Sequence, residues 1–243
     1  MRVRVSLLLI ILGVALAGCG ADPQPLVFGA VPWQDGETAE YDILDRDGDF
    51  AGVASWTWEV IDDGWRQSWM VELGTRTDLG VVEMGADLYP LRSELALPAS
   101  YNMAIYGPEQ IELVIAPAEG EPTTRMVSRP AHPLDNGQTL QIHRALPLAN
   151  DYATRYTNVI PTTARTANTL IRVEGRENIT VPAGTFDTWH LVMTTGGSSH
   201  DAWYAVEPPY HMVQYRNRAA GSQFVLRQWR PTADAPWQPE PES

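Results

Sequence analysis

Residues 55–73 read Ser-Trp-Thr-Trp-Glu-Val-Ile-Asp-Asp-Gly-Trp-Arg-Gln-Ser-Trp-Met-Val-Glu-Leu, and this stretch decides the fold class. Trp56, Trp58 and Val60 precede Asp63-Gly64 at every second position, and Trp65, Trp69, Val71 and Leu73 follow it with the same period, which is that of a strand. Asp-Gly between two such runs is a strong hairpin signal. With Asp63-Gly64 as a two-residue loop, Trp58 faces Trp69 and Trp56 faces Val71. Both apolar sets then lie on one side, so the sequence predicts an antiparallel hairpin with one buried face.

The same alternation recurs over most of the chain, with Gly, Pro, Asn and Asp between the runs. We therefore predict an all-β, mainly antiparallel fold of about 11 strands, without a βαβ rhythm. A flat sheet of this size would leave long unpaired edges, so it should curl into a barrel or half-barrel. The alternation breaks only between Pro133 and Leu148, where we expect one short helix. Further strands are predicted at Ala39–Ile43, Val81–Met84, Tyr101–Ile105, Ile111–Ile115, Thr123–Ser128, Tyr152–Ile160, Asn168–Glu174, Phe186–Thr195, His200–Val206, His211–Arg218 and Gln223–Trp229.

The amino terminus has the parts of a secretory signal: the basic start Met1–Arg4, an apolar run from Leu7 to Ala17, and small residues before Cys19. Leu16-Ala17-Gly18-Cys19 resembles the lipobox of bacterial lipoproteins, which implies cleavage after residue 18 and acylation of Cys19. The alternative is an uncleaved anchor helix, for which the run is short. A membrane partner through lipid on Cys19 follows, with a location at the cell membrane or outer membrane, facing the periplasm or the cell exterior.

Composition divides the rest of the chain. Residues 19–37 contain prolines and turn formers and are predicted to be a flexible tether. Residues 38–230 form the single predicted barrel-like domain, and residues 231–243, rich in Pro and acids, a disordered tail. Without the signal, 15 arginines stand against 30 acidic residues, so the surface should repel phosphate backbones and nucleic acid is excluded as a partner. Cys19 is the only cysteine, which excludes a disulfide within the chain.

Candidate metal and catalytic residues do not assemble into a site. A loop centred on Gly196-Gly197 pairs His190 with Trp203 and His200 with Met193, so the two histidines point to opposite faces and cannot share a metal. Asp45, Asp47 and Asp49 surround a glycine at the wrong place for a helix–loop–helix calcium site. In the string 198–201, Ser-Ser-His-Asp, neighbouring residues alternate faces and cannot form a relay. We predict no enzyme activity, no metal and no cofactor.

The nine tryptophans carry the remaining functional signal. Filling the barrel interior is their ordinary use, and lining a cavity for an apolar ligand is the functional one. Stacking on envelope sugars is a third interpretation. The residues predicted for a ligand cavity are Trp56, Trp58, Trp69, Trp189 and Tyr204.

Residues 181–189, Val-Pro-Ala-Gly-Thr-Phe-Asp-Thr-Trp, resemble a turn of bacterial envelope proteins known as domain of unknown function 3108. An early Tyr strand followed by a Gly-spaced hairpin is also shared, here with Tyr41, Gly48 and Gly52. A segment with an Arg and Leu-Pro corresponds to residues 144–148, and a Trp-Tyr strand corresponds to residues 202–204. The resemblance spans Thr38 to Arg230. It implies an exported β-rich domain without established catalytic residues, similar in outline to the curved sheets of lipoprotein carriers, which hold acyl chains.

Three functions of different classes follow. The first is non-catalytic binding of an apolar or amphipathic envelope molecule inside the curled sheet. The alternative is a structural or assembly protein that meets an envelope partner through the outside of the sheet, and a third is an uncharacterised hydrolase. A hollow interior favours ligand binding, whereas a filled interior favours the partner role.

Overall fold

A computed structural model of the protein describes residues 22–232, and this part is almost entirely β-structure. One short helix, α1, spans Thr139–Ile142 and is followed by a 3-10 turn at His143–Ala145; a second 3-10 turn spans Pro161–Thr163. The all-β prediction and the short helix are confirmed. The strands are β1 (Thr38–Leu44), β2 (Phe50–Ile61), β3 (Gly64–Leu73), β4 (Arg76–Gly85), β5 (Pro90–Leu97), β6 (Ser100–Tyr106), β7 (Gln110–Pro117), β8 (Thr123–Ser128), β9 (Pro133–Asp135), β10 (Ala153–Ile160), β11 (Arg165–Val181), β12 (Gly184–Thr195), β13 (Ser198–Ala205), β14 (Met212–Asn217) and β15 (Gln223–Arg230).

All of these strands belong to one sheet in the order β8-β7-β6-β5-β4-β3-β2-β1-β15-β14-β13-β12-β11-β10-β9. Neighbours are antiparallel except β9 and β10. The predicted number of about 11 strands is wrong, because the described residues form 15. In β5 Ser93 is buried while Leu91 is exposed, so the hydrophobic alternation is too weak there to mark a strand. At three residues, β9 is too short to produce a pattern at all.

The hairpin of β2 and β3 keeps the predicted faces but not the predicted register. Trp56 lies opposite Trp69 and Val60 opposite Trp65, because the loop is formed by residues 62 and 63. The shift is two residues, which preserves the side to which every side chain points. Gly64 stays in the strand, where a Cβ would lie 2.1 Å from the carbonyl oxygen of Met84 on β4. Because β4 approaches so closely, only a residue without a Cβ fits at position 64, and the glycine is needed in the strand and not in the turn.

The two ends of the sheet meet without pairing as strands. Asp135 on β9 accepts hydrogen bonds from Ser93 of β5 at 2.5 Å and from Tyr106 of β6 at 2.6 Å. Beside this contact Val159 and Ala164 pack in a small apolar cluster with Ala104, Tyr106, Ile111 and Leu113 of β6 and β7. The sheet is thus barrel-like, and side chains alone make its seam. Burial raises the pKa of the Asp135 carboxyl, which three hydrogen-bond donors partly offset.

The segment containing α1 packs against the concave side of the sheet as a plug, which we define as residues 138–146. Gln141 donates to the Tyr41 hydroxyl at 3.1 Å, and the Tyr204 hydroxyl donates to the carbonyl oxygen of Leu140 at 2.6 Å. The side chains of Arg144 and Glu37 form an ion pair at 2.6 Å, with 0% and 1% of their areas exposed. The plug and the surrounding aromatic side chains fill the middle of the interior.

Residues 24–37 also join the core, so the predicted flexible tether does not hold for this part. Leu26 and Trp33 are each 3% exposed, and the Trp33 ring stacks on Trp58 with ring centroids 3.7 Å apart. Gln24 bridges to Thr154 of β10. The Pro-rich composition suggested a tether. The segment is instead extended, and its few large apolar side chains anchor it to the core. β1 begins at Thr38 and β15 ends at Arg230, while residues 1–21 and 233–243 lie outside the described range.

The strand order gives the molecule two electrostatically different halves. Residues 22–121, which include β1–β7, contain 20 acidic residues and four arginines, whereas residues 122–232 contain seven acidic residues and 11 arginines. Since β1–β8 and β9–β15 lie on opposite sides of the sheet centre, the negative charge is concentrated on one side. Repulsion of anions is thus a property of the β1–β7 half and not of the whole surface.

Replacing Arg144 with methionine should destabilise the fold strongly. The substitution leaves the Glu37 carboxylate buried without its cation and removes two hydrogen bonds to the carbonyl oxygen of Pro209. Removing one member of a buried pair costs about 3–5 kcal/mol, so the urea midpoint should fall correspondingly.

The matched control is Arg92→Met, whose pair with Glu94 is exposed and should cost no more than about 1 kcal/mol. A double variant, Glu37→Leu with Arg144→Met, should recover much of the lost stability, since no charge is then buried alone. Equal destabilisation by the Arg144 and Arg92 substitutions would contradict the role of the pair.

Candidate ligand-binding cleft

A cleft of about 330 Å³ opens on the core-facing side of strands β10, β12, β13 and β14, next to the plug. The register between neighbouring strands brings the residues of its walls into line. Tyr156 of β10 aligns through Thr169 with Thr195 of β12 and Ser198 of β13, and Met193 lies opposite His200. The side chains of aligned residues point to the same face of a sheet, so these rows converge on one space. The lining residues are Asn136, Thr139, Leu140, Tyr156, Asn158, Ile160, Met193, Thr195, Ser198, His200 and Tyr215.

His200 and Tyr215 form one wall of the cleft as a hydrogen-bonded pair. The Tyr215 hydroxyl lies 2.8 Å from His200 Nδ1, and the two rings stack 5.8 Å apart at 14°. Burial lowers the pKa of the His200 imidazole and raises the pKa of Tyr215 to about 12. Both are therefore uncharged near neutral pH. None of the lining residues within the described range is an acid or an arginine, although the chain is strongly acidic.

Asn158 lines the cleft and has a buried hydrogen-bond acceptor without a partner. Its Nδ2 donates to Asn136 Oδ1 at 2.9 Å, while its own Oδ1 is buried and has no partner. A buried acceptor without a donor costs free energy. With Leu140, Ile160 and Met193 nearby, the cleft offers an apolar surface beside polar, neutral groups.

The five aromatic residues predicted to line a ligand cavity do not come together at this cleft. Trp56, Trp58 and Tyr204 are buried in the main core, at 4%, 1% and 0% exposure. Trp69 lines a small pocket of about 80 Å³ at the seam, and Trp189 lines a separate pocket of about 330 Å³ beside Arg144. Three of the five aromatic residues therefore belong to the core. Ligand binding by Trp69 and Trp189 stays a prediction.

Sequence reasoning missed the cleft residues Asn158, His200 and Tyr215. The register it used was right: His190 pairs with Trp203 and His200 with Met193, on opposite faces. The only sequence signal for the cleft was that the His200 side chain points to the face opposite that of His190. It did not suggest a site because Asn158 and Tyr215 come from strands distant in sequence, β10 and β14.

His190 lies on the outer face in a cluster of charged side chains. Its Nε2 is 2.9 Å from Asp201 Oδ1 and its Nδ1 is 3.0 Å from Glu177 Oε1. Trp203 is sandwiched between the His190 ring, 4.7 Å away, and the guanidinium of Arg216. No group of three or more His, Cys, Asp or Glu within residues 22–232 is placed to hold a metal ion.

The Val-Pro-Ala-Gly-Thr-Phe stretch is a hairpin turn. Val181 pairs with Gly184 around Pro182 and Ala183, and Gly184 has a φ of +139°, which side-chain-bearing residues rarely adopt. The turn returns Phe186 to the core, where it is 7% exposed. This turn has a structural role, since none of the cleft residues belongs to it.

Comparison with known proteins places these features in a family. The sequence profile described as a protein of unknown function, DUF3108, matches residues 103–224, from β6 into β15. The chain belongs to this family. All of the cleft residues fall within the matched range. A search of curated proteins found no match.

One solved structure supports the fold assignment, and two others show weaker similarity. A β-barrel-like protein from Brucella abortus, with a domain of unknown function named DUF1849, is 9% identical, covers 81% of this chain and 97% of its own length, and has a TM-score of 0.54. That likeness concerns the fold alone. A Bacteroides fragilis protein described as exported, with a YmcC-like fold, is 11% identical over 84% of this chain and 100% of its own, at a TM-score of 0.32. A Parabacteroides distasonis protein described as a lipoprotein is 12% identical over 84% and 99%, at 0.31.

Cys19, the predicted lipidation site, lies outside the described residues. Among residues 22–232 no helix has the length and apolar character needed to cross a bilayer.

Acid should destabilise this protein through its buried histidines. Burial lowers the pKa of His143 to about 3 and lowers the pKa of His200 and His211 as well. The unfolded chain takes up protons near pH 6.5 that the native protein does not bind, so stability is complete above about pH 6.5 and falls below it. His211 contacts the Trp229 ring at 4.4 Å, lies near the Arg144 charge, and neither of its ring nitrogens has a partner.

Replacing His211 with phenylalanine should remove its share of this loss. Between pH 7 and pH 5 one such histidine contributes about 2 kcal/mol, so the drop in unfolding free energy should be smaller in the variant by about that amount. Urea denaturation at both pH values measures it. Identical drops in the two proteins would show that His211 is protonated in the folded state.

Proposed function

We propose that this protein is an exported, lipid-anchored protein of the bacterial cell envelope that binds a neutral amphipathic molecule in the cleft on the concave side of its sheet. The role is non-catalytic. The signal-like start and the lipobox-like residues 16–19 support the location. Binding holds the molecule without a reacting group, since Ser198 and His200 share the cleft while Asp201 points to the other face.

The observation that carries the proposal is the chemistry of the cleft walls. A chain with a formal net charge of −13 encloses a space lined only by uncharged side chains, one of which leaves a buried acceptor unused. A charged ligand would find no counter-charge there, whereas a hydroxyl or amide group beside a short apolar chain would meet neutral polar side chains and contact Met193.

The volume limits how much of a ligand can enter. About 330 Å³ is near the lower end of small-molecule sites, which span roughly 300–1,000 Å³. A complete two-chain lipid does not fit within it. The cleft is therefore suited to a head group with the adjoining part of one chain, and the remainder of such a molecule would stay outside.

The test is native mass spectrometry of the purified protein after incubation with an envelope lipid extract. The native protein should retain bound mass, and Ser198→Trp, which places an indole in the mouth of the cleft, should reduce the bound fraction at least tenfold. Ser199→Trp is the matched control, because Ser199 is the neighbouring residue on the opposite face, opposite Thr194. Retention of the same mass by both tryptophan variants would place binding elsewhere.

A second candidate function is supported by the filled interior and by the outer face of the sheet. The plug occupies the middle of the concave side, and Leu79, Tyr101, Ile105 and Met126 are 38–52% exposed on strands β4, β6 and β8. Exposed apolar surface of this kind is typical of protein contacts. An envelope partner would then dock on the outside of the sheet.

A photo-cross-linking residue introduced at Tyr101 distinguishes this second function in intact cells. Docking on the outer face should give one discrete cross-linked product from this position, while the same residue at Ser198 should give none. If cross-links arise only from Ser198, the outer-face function is excluded.

A further inference from the structure

Strand β8 leaves one edge of the sheet unpaired. Within the described residues β8 pairs only with β7. The amide of Arg129, just after β8, donates to the carbonyl oxygen of Glu109 on the β7 side at 2.7 Å. Since successive residues of an antiparallel ladder alternate in direction, the N–H and C=O groups of Thr124, Met126 and Ser128 point away from β7. These three residues form a free hydrogen-bonding edge.

The edge is accessible along its length. Every β8 residue is exposed except Val127, which is half-buried, and Met126 is 52% exposed. Pro130 has no N–H and stands at the next outward position, so it ends the edge. An unprotected edge of this kind pairs readily with another strand.

We propose that two copies of this protein associate by antiparallel pairing of their β8 strands, centred on Met126. In this register Met126 lies opposite Met126 of the second copy, and Thr124 lies opposite Ser128 of the second copy. The outward groups of both strands then exchange six hydrogen bonds, two for Met126 and four for the Thr124 and Ser128 pairs. The result is one continuous sheet across a two-fold axis.

Charge selects this register over its neighbours. Pairing centred on Arg125 places Arg125 opposite Arg125 of the second copy, and pairing centred on Val127 places Arg125 opposite Arg129 of the second copy. Like charges directly opposite each other destabilise an antiparallel pair. In the register centred on Met126, Arg125 meets Val127 of the second copy and Arg129 meets Thr123 of the second copy. No charged residue then faces a like charge, so the edge is complementary to itself.

The apolar outer face continues into the proposed contact. Cross-strand register aligns Met126 with Glu112 of β7 and Ile105 of β6, so the Met126 side chain lies on the same face as exposed Ile105. The two central methionines would meet there and shield each other. The contact is small compared with a stable interface, so pairing should be weak in dilute solution. Confinement of the protein to one membrane by its proposed anchor would raise the local concentration and favour pairing.

Disulfide trapping of the full-length protein in membranes tests the register. In Met126→Cys the two Cα atoms across the axis should be about 5.5 Å apart, within disulfide range. In Thr124→Cys, the matched control on the same edge, the equivalent atoms are four residues apart along the strand, about 13 Å, and cannot be bridged. The native chain, whose only cysteine is Cys19, gives the background. We expect at least tenfold more covalent dimer from the Met126 variant than from the Thr124 variant.

Adding Ser128→Pro to the Met126→Cys variant should abolish the dimer. The lost N–H points outward, so pairing of β8 with β7 is retained, and circular dichroism checks that the sheet is intact. Equal trapping of the two cysteine variants, absence of dimer from both, or a product of Met126→Cys with a different protein would each overturn the proposal.

Ser198→Trp should dimerise normally, because the cleft lies on the other half of the sheet. Failure of β8 pairing and failure of ligand binding are therefore distinguishable.

Discussion

The buried ion pair between Glu37 and Arg144 fixes the interior of this protein. Both side chains are essentially inaccessible to water, and Arg144 also donates to the carbonyl oxygen of Pro209. Two charges inside a low-dielectric interior tolerate each other only in close contact with their hydrogen bonds satisfied. The pair therefore joins three regions of the chain: residues 24–37, the plug and the loop before β14. The position of α1, and with it one wall of the cleft, depends on this contact.

The sheet closes by a different kind of interaction. Fifteen strands curl until β9 reaches β5 and β6, but the closing contact is the Asp135 carboxylate with two hydroxyls and a small apolar cluster. A seam made of side chains leaves β8 beyond the closure, with its outer edge free. The same geometry explains why the molecule has both a barrel-like interior and an exposed edge. Closure through strand pairing would have removed that edge.

The two faces of the sheet have separate chemistry. The concave face carries the core, the plug and an uncharged cleft, while the convex face carries the charged cluster around His190 and the exposed apolar side chains of β4, β6 and β8. Alternation along a strand permits this division, because neighbouring residues serve opposite faces without interference. His200 and Asp201 are the clearest example: one lines the cleft, and the other binds Arg218 and His190 outside. A ligand role inside and a pairing role at the edge are therefore compatible in one domain.

The sequence by itself determined the class of the fold, the direction of most side chains and the family. Period-two alternation and turn residues are local properties, and they were enough to place His190 and His200 on opposite faces. Only the tertiary structure decided the strand number, the loop of the β2–β3 hairpin, the packing of residues 24–37 and the composition of the cleft. These depend on residues far apart in the chain: β4 contacts Gly64, Trp58 contacts Trp33, and β14 and β10 supply different walls of the cleft. β5 escapes detection because its buried Ser93 is held by a hydrogen bond to Asp135, and hydrophobic patterning carries no information about a partner 42 residues away.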